Sequence, residues 1–371
     1  MKFNNKKVIL LSSLVVSSQA FAVNVFKNDT TSVDISGAFL MDYWQPVHVF
    51  EDHDFSTSRS TLGFGIQHQF NHGWSGDVKF EWDNLTSAPT DKTGSKSDDQ
   101  FRTRLGYFSV HHEDYGSLRF GKQYSAYHDV AGYMDNLIVF DPDATPIFSD
   151  GKDGGFLGTA RGDDLVTYRN SFENLNLSAQ YGFKENSPGG NLTAPGSDKL
   201  ARESNYAVAV SYDFDFGLSV GATHLVNKVE TTTGNPLKNL DASDEQKLTT
   251  VAVKYSYEAF KVAAAFTDGT KAYETGLLAY SDNNYADATG MDLFAEYYFD
   301  IGLRPYVYLS NVDFDDTVAN GDRSIYSFGL SYHATPNFII SGEVRKVEED
   351  FDATIGKQDD TLSGITVIYA F

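Results

Sequence analysis

The sequence of 371 residues has no cysteine, only nine prolines and, beyond its first 22 residues, no long apolar run. Without cysteine there is no disulfide framework to hold a small fold together. A membrane-spanning helix needs roughly 20 consecutive apolar residues, so a helical membrane protein is excluded. The mean hydropathy of −0.34 does not exclude a transmembrane β-barrel, because its strands alternate apolar with polar residues.

Basic residues are also scarce, since 29 Lys and Arg stand against 51 Asp and Glu, and the formal net charge is −22. Such an acidic chain is a poor binder of nucleic acid, and we expect no nucleic-acid partner. Aromatic residues are plentiful instead, with 22 Tyr and 28 Phe beside 31 Gly. This composition is typical of twisted strands that are flanked by aromatic girdles.

The first residues have the order of a secretory signal peptide. Three lysines precede the apolar run 8–16, and small residues at positions 20 and 22 form a cleavage site. The apolar run is too short to span a membrane as a helix. We therefore expect a signal peptide at 1–22, cleavage after Ala22, and a single exported domain at 23–371.

Apolar and polar residues alternate with a period of two through most of the chain after position 33. In the run 33–42, for example, valine, isoleucine, phenylalanine and methionine share one face, and aspartates lie on the other. Period two indicates β-strands, and no block shows the period of a helix. The sequence predicts an all-β fold, a transmembrane antiparallel β-barrel of about 16 strands, each near ten residues long.

Short and long connections alternate along this array. Tight turns such as 71–73 and 300–302 lie between longer polar stretches. Short turns on one rim and long loops on the other are typical of outer-membrane barrels, so we expect the protein in the bacterial outer membrane. The long loops are predicted at 86–99, 185–204, 231–245, 267–290, 312–323 and 347–360.

Three segments resemble the general diffusion porins of Gram-negative bacteria, the trimeric sixteen-stranded enterobacterial-type family. They are Thr103-Arg104-Leu105, the run 115–122 (YGSLRFGK), and Arg161-Gly162 with the following run 166–170 (VTYRN). The terminal strand, which closes on Phe371, resembles the signal read by the machinery that inserts such barrels. The resemblance implies a homotrimer in contact with membrane lipid and lipopolysaccharide. It further implies a water-filled pore for passive diffusion of ions and small hydrophilic solutes.

In that family the third loop folds into the lumen and narrows it, with acidic residues set across from basic residues on the wall. The corresponding loop here is about 123–159. Irregular backbone at membrane depth is tolerated where it lines water. The residues assigned to this channel constriction are Arg59, Arg102, Arg104 and Arg161 on the wall, and Tyr124, Tyr127, Asp129, Asp135 and Asp141 on the loop.

These assignments have different origins. Arg104, Arg161 and Asp135 match residues of the family's motif. Arg59 and Arg102 lie two residues from matching positions and share the inward face by strand alternation. For Asp129 and Asp135 the competing interpretation is local capping or an Asx turn. The tyrosines are assigned to packing that fixes the loop to the wall.

The chain also departs from the family pattern. Ala38 replaces a basic residue of the first strand, Thr61 stands at the second-strand arginine position, and the loop's second carboxylate is lost at Val139, with Asp141 as its substitute. Fewer wall cations and many loop acids predict a weak preference for cations, because fixed charges act strongly on an ion in a narrow passage.

Two other functions are open. A substrate-specific channel, for example for sugars, would bind its solute saturably. An enzymatic barrel would need a nucleophile with a base in reach, and no motif indicates one, so we expect no enzyme. The histidines, among them His111 and His112, have no metal-ligand spacing, and we expect neither a metal site nor a cofactor.

Overall fold

The computed structural model describes residues 22–45, 55–57, 59–83, 102–148, 153–185, 200–231, 239–241, 243–275, 284–352 and 356–371. Within these residues the chain forms a closed antiparallel β-barrel of sixteen strands, as the sequence predicts. The predicted signal peptide, apart from Ala22, lies outside the described residues, as does the predicted loop at 86–99.

The described residues contain eighteen strand segments and one short helix. The segments β1 and β3 both pair with β2, where they prolong the pairing edges of β18 and β4, so the ring itself has sixteen positions. The elements are β1 Val23–Lys27, β2 Thr31–Trp44, β3 Phe55–Ser56, β4 Thr61–Gln69, β5 Trp74–Asp83, β6 Arg102–His112, β7 Gly116–Tyr124, α1 His128–Ala131, β8 Arg161–Phe172, β9 Leu175–Gly182, β10 Leu200–Asp213, β11 Leu218–Thr231, β12 Glu245–Tyr257, β13 Phe260–Glu274, β14 Tyr285–Tyr297, β15 Leu303–Asp315, β16 Asn320–Thr335, β17 Phe338–Phe351 and β18 Lys357–Ala370.

The barrel closes between its last strand and β2. Ala370 lies opposite Ala38 in the β18–β2 ladder. The next residue, Phe371, exchanges two backbone hydrogen bonds with Gly37, at 2.8 and 2.9 Å. The segment β1 continues along the same edge of β2, with Val23 opposite Ile35. Closure removes the free edge at which an open sheet would pair with other chains.

The two faces of the wall differ in burial. On β12, Val251 and Val253 are 57% and 37% exposed on the outside, whereas Thr250 and Ala252 are buried on the inside. The other strands repeat this alternation, so that the outer surface is a belt of exposed apolar and aromatic side chains. A belt of this kind fits the hydrocarbon of a bilayer.

Among the described residues, no helix is both long and apolar enough to cross a membrane.

The short turns lie where the sequence predicts them. The β4–β5 turn is closed by a hydrogen bond from the Phe70 amide to the Trp74 carbonyl at 2.8 Å. His72 and Gly73 both have positive φ there, 61° and 78°, a conformation that glycine adopts without steric cost. The barrel therefore has one rim of tight turns, which we call the turn rim.

Four of the six predicted long loops are shorter than the sequence predicts, whereas the loop at 231–245 has the predicted bounds. The stretch 312–323 was expected to be a loop, but β15 runs to Asp315 and β16 begins at Asn320. Strands likewise extend into the predicted loops at 185–204, 267–290 and 347–360. The aspartates that make these stretches polar lie on the outer face, while Val312 and Phe314 alternate with them and are buried inside.

Strand alternation also fails once on β6. It predicts Leu105 and Tyr107 on the face opposite to Arg102 and Arg104. A β-bulge shifts the β5–β6 register beside Arg104, and such a bulge interrupts the alternation of side chains. Leu105 and Tyr107 are consequently buried on the inner face, although both arginines also bond to inner-face carboxylates.

Candidate pore constriction

The connection between β7 and β8 is long and contains α1. We call its described residues, 125–148 and 153–160, the inner segment. Its Ala126 amide donates to Gln180 Oε1 at 2.8 Å, and the Tyr127 hydroxyl bonds to Thr250 Oγ1 at 2.6 Å. These wall side chains are on the buried inner face, so the inner segment lies against the inside of the barrel.

A second set of hydrogen bonds fixes the part of the inner segment that follows residues 136–141, which we call its tip. The Asp143 amide donates to the Tyr308 hydroxyl and the Thr145 amide to Asp292 Oδ2, each at 2.7 Å. The Tyr273 hydroxyl donates to the Ala144 carbonyl at 2.6 Å. Backbone groups of an irregular segment need such partners when they are buried.

Apolar packing holds the same region. Tyr127 and Ile147 of the inner segment belong to a buried cluster with wall residues that include Leu248 and Phe314. Burying one large apolar side chain stabilises a fold by about 1.5–3 kcal/mol. The strands β10–β17 therefore carry the inner segment on a packed apolar interface.

Wall arginines hold the tip of the inner segment through its carbonyl groups. Arg59 donates to the Ile138 carbonyl at 3.1 Å, Arg304 to the Asn136 carbonyl at 3.2 Å, and Arg345 to the Asp141 carbonyl at 2.9 Å. These arginines lie just before β4 and on β15 and β17, within one run of six neighbouring wall strands, β15–β18, β2 and β4. The tip is therefore held against one continuous arc of the wall.

Two positions at which the sequence is expected to have lost a charge, Ala38 and Val139, have apolar contacts in the structure. Ala38 and Ile138 belong to one buried cluster. A Cβ atom on Gly364 would lie 2.7 Å from Val139 Cγ1, so the glycine leaves the room in which Val139 sits. The tip is therefore seated on β2 and β18 by apolar packing.

Three of the four wall arginines assigned from the sequence, Arg59, Arg102 and Arg104, have a carboxylate partner on the neighbouring strand. Arg59 bonds to Asp42 through Nε at 2.8 Å. Arg102 bonds to Asp83, with Nη2 to Oδ2 at 2.6 Å, and Arg104 Nε bonds to Glu81 Oε1 at 2.9 Å. Because these carboxylates are buried, they neutralise the arginines at short range.

Arg161 is tied to the inner segment itself. Its guanidinium donates to the Tyr124 hydroxyl at 3.1 Å and pairs with Asp153 at 3.0 Å. Asp153 also pairs with Arg102 at 3.1 Å, so one carboxylate bridges β6 and β8. Burial by itself would raise the pKa of Asp153, but Arg161, Arg102 and Arg104 together hold that pKa well below its ordinary value.

The three assigned acidic residues of the loop have different surroundings. Asp129 pairs with Arg169 of β8 at 2.8 Å, not with any of the four assigned arginines. Asp135 is buried beside His128, at 3.3 Å from its Nε2. Asp141 is exposed, and within the described part of the chain its carboxylate has no hydrogen bond or ion pair.

The structure adds wall residues that the sequence did not indicate. Arg345 pairs with Glu343 at 3.1 Å, and Arg323 pairs with Asp143 at 3.3 Å. Arg304 pairs with Glu296. Their inward positions follow from alternation on β15–β17. Their contacts with the inner segment, such as Arg345 with the Asp141 carbonyl and Arg323 with Asp143, join residues more than a hundred positions apart, and no local sequence pattern indicates them.

Among the described residues, no group of three or more His, Cys, Asp or Glu side chains is placed to hold a metal ion. His111 bonds to Asp77 alone, and His112 stacks with Tyr115 at 4.4 Å between ring centroids.

The sequence matches the profile of the Gram-negative porin family over residues 12–352. The chain belongs to this family. It is similar to outer membrane protein F of Serratia marcescens, with 25% identity over 99% of both chains, and to outer membrane porin N of Escherichia coli, with 24% identity over 98% of both. The predicted family and location are confirmed, and this porin is an outer-membrane channel protein.

Solved porin structures share the fold. The structure titled Salmonella typhi OmpF in complex with daunomycin has a TM-score of 0.71 at 18% identity, covering 93% of this chain and 99% of that one. The trimer form of Vibrio cholerae OmpT has a TM-score of 0.63 at 16% identity, covering 92% and 100%. Both agree with one continuous barrel.

Proposed function

We propose that this porin is a passive diffusion channel for ions and small hydrophilic solutes, with a weak preference for cations. The observation that carries the preference is the exposed, unpaired carboxylate of Asp141 at the tip of the inner segment. A fixed negative charge in a narrow aqueous passage favours cations.

The charge balance of the wall supports this proposal. Among the described residues, arginines on the inner side pair with carboxylates within 4.0 Å, through the pairs Arg59–Asp42, Arg102–Asp83, Arg104–Glu81, Arg161–Asp153, Arg169–Asp129, Arg202–Glu185, Arg304–Glu296, Arg323–Asp143 and Arg345–Glu343. Asp141 is additional to these pairs. The negative charge of Asp141 is therefore not neutralised within an ion pair, and we propose that a passing ion meets it across the water of the lumen.

The inner segment is the proposed constriction. Its tip lies between Arg59 and Arg345, and its flank covers β10–β17. Of the nine assigned residues, Arg59, Arg102, Arg104 and Asp141 are proposed to line the passage. Tyr124, Tyr127 and Arg161 are proposed to position the inner segment, since their contacts are with it or the wall, as are Asp129 and Asp135.

Processing and assembly follow the family. We propose that residues 1–22 are removed on export and that the mature chain forms a homotrimer in contact with lipid and lipopolysaccharide. The relatives are porins, and no enzymatic activity is proposed.

A substrate-specific sugar channel is the alternative. Such a channel needs exposed aromatic rings along the lumen, on which a sugar can slide. The inner-face rings of Tyr306, Tyr308 and Phe294 are buried. Among the described residues this disfavours an aromatic slide.

Planar-bilayer recording of the mature protein tests the proposal. We expect step increases of conductance, each closing in three sub-steps if three pores insert together, and a current that is not reduced saturably by maltose or glucose. A current that sugars block with a defined half-saturation would support the alternative. The absence of conductance would contradict both.

A further inference from the structure

A cavity of about 300 Å³ indents the inner wall near the turn rim, formed by β2, β4, β5 and β6. Four of the residues that line it, Asp34, Gly65, Lys79 and Tyr107, lie directly opposite one another on these strands. Since neighbouring strands are about 4.8 Å apart, the backbones of Asp34 and Lys79 are separated by about 10 Å. Gly65 lies between them, and because it has no side chain, the floor of the cavity is formed by backbone at this point.

Lys79 is the unusual member of this row. The residue is only 6% exposed, and its Nζ donates to Ser36 Oγ at 3.0 Å. Within the described part of the chain no carboxylate lies within 4.0 Å of it, in contrast to the arginines of the constriction. An ammonium has three donors, and a buried cation without a counter-charge is costly.

The neighbouring strand makes room for this ammonium. A Cβ atom on Gly63 would lie 2.9 Å from Lys79 Nζ and 2.9 Å from Ser36 Oγ. On Gly65 the nearest atoms would be 3.9 Å away. The two glycines thus leave space for the ammonium group and the aliphatic chain of Lys79, and this space opens into the cavity.

Opposite charges also border the cavity. Asp34 accepts a hydrogen bond from Asn24 Nδ2 at 2.8 Å through Oδ1, and Asp77 bonds to His111. Gln67 is exposed, and its side chain has no hydrogen-bond partner among the described residues. The cavity therefore presents an ammonium, carboxylates and a free amide around one open floor.

We propose that this cavity binds a small zwitterion, an α-amino acid, with its carboxylate on Lys79 and its ammonium on Asp34. The proposal rests on the proposed function, because the solute reaches the cavity only through an open lumen. A solute with no net charge is not repelled by the acidic lumen as a free anion would be. Ala22 borders the same cavity, so the proposed cleavage would widen it.

The volume suits this class of solute. About 300 Å³ lies at the small end of the range found for ligand pockets. Charge-assisted hydrogen bonds are the strong ones, and two of opposite sign would discriminate a zwitterion from solutes with one charge. We therefore expect a diffusing amino acid to bind in the cavity briefly and saturably.

The test uses the mature porin in planar bilayers with L-glutamine as the probe, added on the side of the turn rim. Glutaramic acid lacks the ammonium of glutamine, and 4-aminobutanamide lacks its carboxylate. We expect L-glutamine to reduce the ion current saturably and both analogues to need at least about tenfold higher concentrations. Equal effects of all three compounds would overturn the proposal.

Variants locate the site. Lys79→Met and Asp34→Asn should each raise the half-blocking concentration of L-glutamine about tenfold. Lys254→Met, which changes a half-buried inward lysine on β12, should leave it unchanged. An unaltered block in Lys79→Met, or no saturable block in a conducting wild type, refutes the inference alone. A wild type without conductance refutes the proposed function and this inference with it.

Discussion

Arg59 donates a hydrogen bond to the carbonyl oxygen of Ile138 at 3.1 Å, across a sequence separation of 79 residues. The same guanidinium pairs with Asp42 of β2, which is fully buried. One side chain thus neutralises a wall carboxylate and holds the tip of the inner segment. Arginine suits this double role because its planar group has five donors.

Replacing Arg59 should change both the ion selectivity of the channel and the mobility of the inner segment. Arg59→Ala leaves Asp42 without its cation and frees the Ile138 carbonyl. We expect a stronger preference for cations and more current noise, measured as zero-current potential and open-channel variance. Arg59→Lys should restore the potential but not the low noise, because a lysine is a point charge without the planar fork. Equal noise in all three proteins would contradict the role at Ile138.

Asp141→Asn should weaken the cation preference. A unit charge 4 Å from an ion is worth about 1 kcal/mol in water and acts on cations and anions with opposite sign, so the cation-to-anion permeability ratio should fall severalfold. The measurement is the zero-current potential in a KCl gradient. The matched control is Asp313→Asn, since Asp313 is exposed on the outer face of β15 and should have no effect. An unchanged ratio in Asp141→Asn would remove Asp141 from the selectivity mechanism.

Removing a buried hydroxyl should loosen the flank of the inner segment. Tyr273→Phe takes away the donor to the Ala144 carbonyl and leaves a buried acceptor unpaired, at a cost of about 1–3 kcal/mol. We expect a lower midpoint of urea unfolding and brief excursions to higher conductance. Tyr212→Phe, on the exposed outer face of β10, is the control. A midpoint shift of the same size in both variants would argue against the contact.

The pairing of Asp153 predicts how the segment responds to acid. A depressed pKa stabilises the folded state above the ordinary pKa near 3.8, and that contribution is lost only as pH falls through the lower, folded value. The contacts with Arg161 and Arg102 should therefore persist at pH 4. Open-channel noise should be the same at pH 7 and pH 4, whereas Asp153→Asn should be noisier at both. Acid-induced noise in the wild type at pH 4 would contradict this pairing.

The contact between the tip and β18 can be tested by disulfide cross-linking, because the native chain has no cysteine. A Cβ on Gly364 would lie 2.7 Å from Val139 Cγ1 and from Trp44 Cδ1, so a cysteine at 364 is within reach of a disulfide with position 139 once the Trp44 ring shifts. Val139→Cys with Gly364→Cys should cross-link on mild oxidation and still conduct, as read by gel mobility and bilayer current. Val139→Cys with Asp313→Cys, whose second site is on the outer face, should not cross-link. Failure of the first pair to join would place the tip elsewhere.

Much of the barrel is readable from local sequence because period-two alternation and turn residues act over short distances. Alternation correctly directs Arg102 and Arg104 toward inner-face carboxylates. It fails at Leu105, since the β-bulge beside it has no local signal. It also predicts β15 and β16 to be shorter than they are. The aspartates on their outer face are typical of a loop, although the inner face is apolar.

The constriction was less accessible to sequence reasoning. The partner of Asp129 is Arg169, and the carbonyl of Asp141 is held by Arg345, 204 positions away. Such contacts arise only after the wall has closed, so no spacing along the chain records them. A buried carbonyl that is left unpaired is costly. That cost explains why an arginine contacts the carbonyl in the folded structure, although the two are distant in sequence.

The most direct test of the account is the zero-current potential of the wild-type mature porin in a tenfold KCl gradient. The unpaired charge of Asp141 predicts a permeability ratio of potassium to chloride above one, with the dilute side positive. A ratio at or below one would contradict the proposed charge balance of the constriction.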